Sequence, residues 1–190
     1  MGAGAGAVRR VSVTGNAGVG KSTFGRRLAE HLGVPWVELD SIFHLPGWIE
    51  LPAEDFRAAV AELVAGDGWV VDGNYRTVRD LVWARADTVV LLDYARWRVM
   101  ARITRRSLGR VLNRTELWNG NRESWRNLLS RDPHRSIILW SWTNHGKHRS
   151  QHLAAAADPA LRSLRFVRLR TPAEADAWLS ALGDARADLP

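Results

Sequence analysis

Cysteine is absent from this 190-residue chain, which excludes disulfides, thiolate-ligated metals and thiol catalysis. Long hydrophobic runs are absent too. No stretch approaches the roughly 20 apolar residues that cross a bilayer, so no membrane association is expected. After Met1 the chain alternates Gly and Ala as far as Ala7. That stretch lacks the positive start and apolar core of a secretory signal, and Gly6 stands where a myristoylation site carries Ser or Thr. Residues 1–7 read as a flexible tail, and the chain as cytoplasmic. Lysine is nearly missing: against 25 Arg there are two Lys, Lys21 and Lys147. No His, Asp or Glu run has the spacing of a dedicated metal site. The rest is ordinary, with 46% hydrophobic and 25% charged residues, the balance of one globular domain spanning 1–190.

The formal net charge of +7 is uneven. From Arg96 to Arg149 there are 13 Lys/Arg against 3 Asp/Glu; the remainder has 14 against 17. One segment thus holds the whole positive surplus and asks for an anionic partner, either phosphate groups or nucleic acid. Trp118, Trp125, Trp140 and Trp142 lie among its basic residues. Arg interleaved with aromatics also suits single-stranded nucleic acid, although Ile137 to Trp142 reads as buried helix, which would take about half of these rings into the core.

The most specific signal lies near the start. Val8 to Thr14 reads as a strand, followed by Gly15-Asn16-Ala17-Gly18-Val19-Gly20-Lys21-Ser22-Thr23 and an amphipathic helix over Phe24 to Leu32. This is the Gly-x-x-x-x-Gly-Lys-Ser phosphate loop in its required strand–loop–helix setting. Residues 15–23 are expected to cradle the phosphates of a nucleoside triphosphate, ATP, with Mg²⁺. The amides and helix terminus would receive the anion, Lys21 would reach the β- and γ-phosphates, and Ser22 would offer a hydroxyl to the metal.

Strand and helix signals then alternate. Strands are expected at Val34–Leu39 (ending in Asp40), Trp69–Val71 (ending in Asp72), Thr88–Leu92 (ending in Asp93) and Phe166–Leu169. Helices are expected at 52–64, 75–84, 95 to about 111, 124–130, about 136–157 and 172–182, the last capped by Thr171. Arg186 to Pro190 reads as a frayed tail. The pattern predicts an α/β, three-layer architecture: a five-stranded parallel sheet with helices on both faces. Ligands of such sheets bind at the carboxyl ends of the strands, where the loop, Asp40, Asp72 and Asp93 all fall.

Trp69-Val70-Val71-Asp72-Gly73-Asn74-Tyr75-Arg76 resembles the strand-Asp-Gly-x-x-Arg segment of adenylate kinases, with Asn74 and Tyr75 in place of Phe-Pro. Four segments resemble a bacterial family of adenylate-kinase-related P-loop kinases often labelled DNA topology modulation proteins. They are Glu38-Leu39-Asp40, Leu45-Pro46-Gly47-Trp48, Val71-Asp72-Gly73-Asn74-Tyr75 and Glu116-Leu117-Trp118-Asn119-Gly120-Asn121-Arg122-Glu123-Ser124. The resemblance implies a nucleoside-monophosphate-kinase-like P-loop fold and transfer of the γ-phosphoryl of Mg-ATP to a small acceptor. It also implies a basic helical lid over about 96–135 whose arginines close on phosphate. Arg102, Arg106 and Arg110 share one helical face by their i, i+4 spacing, and Asn119-Gly120-Asn121 reads as the turn at the lid tip. Arg122 is the first candidate for phosphate contact, followed by Arg106 and Arg110.

Asp72 is placed like a carboxylate that orients Mg²⁺, the alternative being a turn or helix cap. Arg76 is placed to grip the acceptor or the moving phosphoryl, the alternative being a surface ion pair. Asp40 resembles the carboxylate at this position in P-loop kinases that phosphorylate hydroxyls, such as shikimate, gluconate and uridine kinases. A hydroxyl acceptor gains from a base; the alternative for Asp40 is a strand-end cap. His44 and Trp48 are candidates for acceptor contact or for packing. The acceptor remains open among nucleoside monophosphates, nucleosides and polyols. Two other classes stand beside the kinase: a nucleic-acid-stimulated ATPase or topology modulator, and a non-catalytic nucleotide switch. No Asn-Lys-x-Asp guanine-reading motif is present.

Overall fold

The computed structural model describes residues 8–133 and 135–187. The expected tail at 1–7 lies outside them, as does the end of the one expected at 186–190; the final helix continues through Ala187.

Strands form where the apolar runs lie. β1 (Arg10–Gly15) leads through the phosphate loop into α1 (Lys21–Leu32). Next come β2 (Trp36–Glu38), the five-residue α2 (Leu39–Phe43), and a small antiparallel pair, β3 (His44–Leu45) with β4 (Ile49–Glu50). α3 (Ala53–Leu63), β5 (Trp69–Asp72), α4 (Arg79–Arg85) and β6 (Thr88–Leu92) follow. α5 (Arg96–Leu112), α6 (Trp125–Leu128), α7 (Ile137–Ala156), β7 (Arg165–Leu169) and α8 (Pro172–Ala187) complete the order.

The main sheet runs β2-β5-β1-β6-β7, all parallel. β5 and β6 are buried at every residue, as interior strands of a sheet covered on both faces must be. The pleat divides them between two cores. Val70 joins Val11, Val13, Phe24, Leu28 and Leu179 under α1 and α8, whereas Trp69 and Val71 join Phe56, Val60 and Val82 under α3 and α4. The order places β1 centrally, with Val13 opposite Asp72 on one side and Val90 on the other. The loop after β1 therefore opens beside the end of β5.

Three local expectations change. The second strand is shorter than 34–39, because Ser41 Oγ donates to the Glu38 carbonyl at 2.7 Å and starts α2 at once. Asp40 thus sits in the first turn of a helix, not at a strand tip. The helix expected from Tyr75 begins at Arg79, since Gly73 at φ 140 turns the chain over the end of β5. Within the expected lid, about 96–135, the α-helices are α5 and α6; between them an antiparallel bridge pairs Glu116 with Arg122. The Thr171 cap is present: its Oγ1 accepts from Glu174 N at 3.1 Å. Among the described residues no helix is long and apolar enough to cross a membrane.

Candidate active site

The phosphate loop is held from outside itself. Asn16 Nδ2 donates to Ser141 O at 2.7 Å and to Ser141 Oγ at 2.9 Å, and Ser141 Oγ donates to Ala17 O at 3.0 Å. Arg102 Nη1 donates to Val19 O at 3.1 Å. Gly18 sits at φ 83, and a Cβ built there would lie 2.6 Å from Ile103 Cβ; only glycine fits. Gly20, at φ 107, precedes α1 without a side-chain cap, so the first amides of α1 remain for an anion. Gly15, Ala17, Gly18, Gly20, Lys21, Ser22 and Thr23 line a cleft of about 1670 Å³. The side chains of Asn16 and Val19 turn instead into the protein, at 4% and 1% exposure, and can serve phosphate only through their backbone. Lys21 Nζ lies 3.5 Å from Asn16 O.

Two acids meet the loop. Glu38 stands beside Asp72 across β2 and β5. Ser22 Oγ donates to Glu38 Oε1 at 2.7 Å, and Trp118 Nε1 donates to Glu38 Oε2 at 2.8 Å. Asp72 is buried, and its Oδ2 has no partner. Burial raises its pKa to about 6, opposed chiefly by the Lys21 charge. An orphaned carboxylate oxygen near a hydroxyl, with no nitrogen or sulfur donors, suits Mg²⁺, and Ser22 and Asp72 would be the residues that hold it. Among the described residues no group of three or more His, Cys, Asp or Glu is arranged to bind a metal alone, so further ligands would have to come from phosphates or water.

The Asp72 shift has a stability consequence. The folded protein holds the Asp72 proton up to about pH 6, whereas an unfolded Asp releases it near 3.8. This group's stabilising contribution is therefore full below about pH 4 and lost as pH rises through 6. Asp72→Asn should stabilise the free protein at pH 7.5 by up to about 3 kcal/mol and flatten the pH dependence between 4 and 7, while weakening Mg-nucleotide binding. Urea melts across that range check the first two effects.

Asp40 lines the same cleft. Tyr75 Oη donates to Asp40 Oδ1 at 2.5 Å. Burial and the Asp40 charge push the phenol pKa upward, so Tyr75 stays a donor. Phe43 and Phe56 pack on the Tyr75 ring, at centroid distances of 4.6 and 5.3 Å, which fixes the pair. His44 caps α2 and stacks on Trp118 at 6.0 Å, with Trp48 edge-on to both. All three rings line the cleft.

The arginines divide. Arg76, Arg102, Arg105, Arg106 and Arg110 line the cleft. Arg106 opens onto its solvent yet is surrounded by protein, and desolvation, then Arg110, lower its pKa; it stays charged. Arg110 donates to Glu123 Oε1 at 2.8 Å, so an acid already engages one expected phosphate ligand. Arg122 departs from expectation. Its side chain is exposed and lies 3.5 Å from Glu116 Oε2, outside the cleft lining. Its carbonyl instead accepts from Trp48 Nε1 at 3.2 Å. Asp93 is held by Arg149 and Arg168, at 2.7 and 2.6 Å, away from the cleft. The buried-helix reading of Trp142 is also corrected: it is 52% exposed, with Arg96 over its ring at 4.9 Å, and Trp125 is 48% exposed.

The sequence did not single out Glu38, Trp118 or His148 for the phosphoryl-transfer site, although all three line the cleft. Glu38 comes beside Asp72 because β2 ends at Glu38, two residues earlier than the expected strand end at Asp40. His148, on α7, lines the cleft; its Nδ1 pairs with Asn74 Nδ2 at 3.0 Å, and burial lowers its pKa to about 4. No local signal marks that position.

A family model for shikimate kinase matches residues 17–45, which run from the phosphate loop past Asp40. No curated protein matches. A gluconokinase from Sinorhizobium meliloti 1021 superposes with a TM-score of 0.51 at 21% identity, covering 95% of this chain and 97% of that one. A shikimate kinase from Bacteroides thetaiotaomicron gives 0.52 at 14% identity, covering 95% and 99%. One from Acinetobacter baumannii, in complex with shikimate, gives 0.57 at 20%, covering 95% and 94%. At these identities the likeness is one of architecture, and over nearly its whole length the chain has the fold of P-loop small-molecule kinases.

Proposed function

We propose that this protein is a P-loop phosphotransferase that moves the γ-phosphoryl of Mg-ATP to a hydroxyl of a small acceptor, in the cytoplasm. One observation carries the reading: Asp40, fixed by Tyr75, shares a single cleft with Lys21, Ser22 and Asp72. Residues 17–45, where the shikimate kinase model matches, contain both the phosphate loop and Asp40.

The chemistry follows from placement. Loop amides and Lys21 hold the β- and γ-phosphates. Mg²⁺, when bound at Ser22 and Asp72, neutralises phosphate charge. Asp40 keeps one carboxylate oxygen on Tyr75 and offers the other to the acceptor hydroxyl. As the acceptor oxygen bonds to the γ-phosphorus, its proton passes to Asp40 and the bond to the β-phosphate oxygen breaks, releasing ADP. Arg76 and Arg106 face the phosphoryl in flight. Adenine as donor base, and membership in the DNA topology modulation family, rest on the four resembling segments. Shikimate or gluconate are acceptors of the compared proteins and head the panel for this one.

The test is transfer of label from γ-labelled ATP with Mg²⁺ to a panel of hydroxy acids, polyols, nucleosides and nucleoside monophosphates, with a single-stranded DNA lane. Label on one hydroxyl compound is the expected result. Free phosphate alone, stimulated by DNA and suppressed by salt, overturns the kinase reading in favour of a nucleic-acid-dependent ATPase.

A further inference from the structure

The hairpin around Trp118 is seated on the acceptor side of the cleft. Asn119 Nδ2 donates to the carbonyls of Ser41 and His44, at 3.1 and 2.6 Å. Asn121 Nδ2 donates to Leu45 O at 2.9 Å, and Asn121 Oδ1 accepts from Trp48 N at 2.8 Å. Asn121 is only 3% exposed. The turn read from the sequence as the lid tip is bonded through both its asparagines to residues 41–48.

From that seat Trp118 reaches Glu38, and Glu38 reaches Ser22. A hydroxyl has one proton and two lone pairs. By taking the proton of Ser22, Glu38 leaves both lone pairs for a cation. A carboxylate rotates about its last bond, and the Trp118 N–H on Oε2 is what keeps Oε1 aimed at Ser22. We infer that Trp118 is a positioning residue: through Glu38 it orients the Ser22 hydroxyl toward Mg²⁺, so the metal-nucleotide site is complete only while the hairpin is seated. The inference rests on the nucleotide-site reading above. Its physical consequence is gating. An unseated hairpin leaves Ser22 free to turn its proton toward the cation, and ATP is held without a fully formed metal site, which protects it from water.

The experiment is calorimetric titration of ATP with Mg²⁺, and of ATP in excess chelator, into the wild type and Trp118→Phe, which keeps the ring but removes the donor. The Kd for Mg-ATP should rise about tenfold, the usual cost of losing a partner of a metal ligand, while metal-free ATP binds as before. Glu38→Gln should show the same metal-dependent loss, and the double variant should be no weaker than the worse single. Asn119→Ala, which loosens the seat without touching Glu38, should lose Mg-ATP affinity in the same metal-dependent way. Equal losses with and without metal, no loss, or additive losses overturn the inference. A wild type that binds no Mg-ATP overturns the nucleotide reading instead.

Discussion

Asp40→Asn is expected to lower kcat for a hydroxyl acceptor by about 10²–10⁴-fold while leaving ATP affinity unchanged. The substitution keeps size and shape, and the amide oxygen still accepts from Tyr75 (2.5 Å in the native pair). What it removes is a group able to take the acceptor's proton. Tyr75→Phe should act in the same direction but less strongly: it releases one carboxylate oxygen and leaves the base in place. Steady-state kinetics on the acceptor found in the transfer assay decide the matter. An unchanged kcat in Asp40→Asn would show that the carboxylate only orients substrate. A phosphate-bearing acceptor would remove the need for a base altogether.

Lys21→Met should cost about 10²–10³-fold in kcat, the loss typical of deleting one fixed charge from a site where negative charge develops. Lys21→Arg is the more informative change. This chain uses Arg at 25 of its 27 Lys/Arg positions, so a lysine retained here marks a geometric demand. The loop is already crowded by a guanidinium, since Arg102 donates to Val19 O and approaches Gly20 so closely that a Cβ there would sit 3.0 Å from it. A second planar fork beside the first adds like-charge repulsion and lacks the slim stem that lets an ammonium reach between the β- and γ-phosphates. Lys21→Arg is therefore expected to recover little of the Met defect, measured as kcat at saturating Mg-ATP. Recovery of most of the activity would show that charge alone is needed at this position.

Much of this architecture is legible in the chain because it depends on local periodicity. β5 and β6 are unbroken apolar runs, α1 follows its glycine loop, and Thr171 and Glu174 announce α8. The phosphate loop is legible for the same reason: its chemistry is written in consecutive residues. Much of the remainder of the site is not, because it is made by contacts between residues far apart in the chain, several of them across 74 to 125 positions. Glu38 with Trp118, Asn74 with His148 and Asn16 with Ser141 are such pairs. Arg122 is a related case. Membership in a specific motif marked the segment but does not say which of its side chains face the cleft: Glu116, Leu117, Trp118 and Glu123 line it, and Arg122 does not. Trp142 misled because an apolar neighbourhood in sequence, Ile137 to Trp140, does not fix which face of a helix is covered.

The buttress of the phosphate loop bears on how the protein is made. Asn16 and Ala17 are tied to Ser141, on a helix that starts at Ile137, while the motif itself is finished by residue 23. A growing chain therefore displays the whole phosphate-binding sequence long before it owns the scaffold that shapes it. Until α5 emerges the loop is tethered only to its own strand and helix; Arg102 then reaches Val19 O, and Ser141 is added last. On the function proposed above, competence to hold a nucleotide would arrive with α7, late in translation.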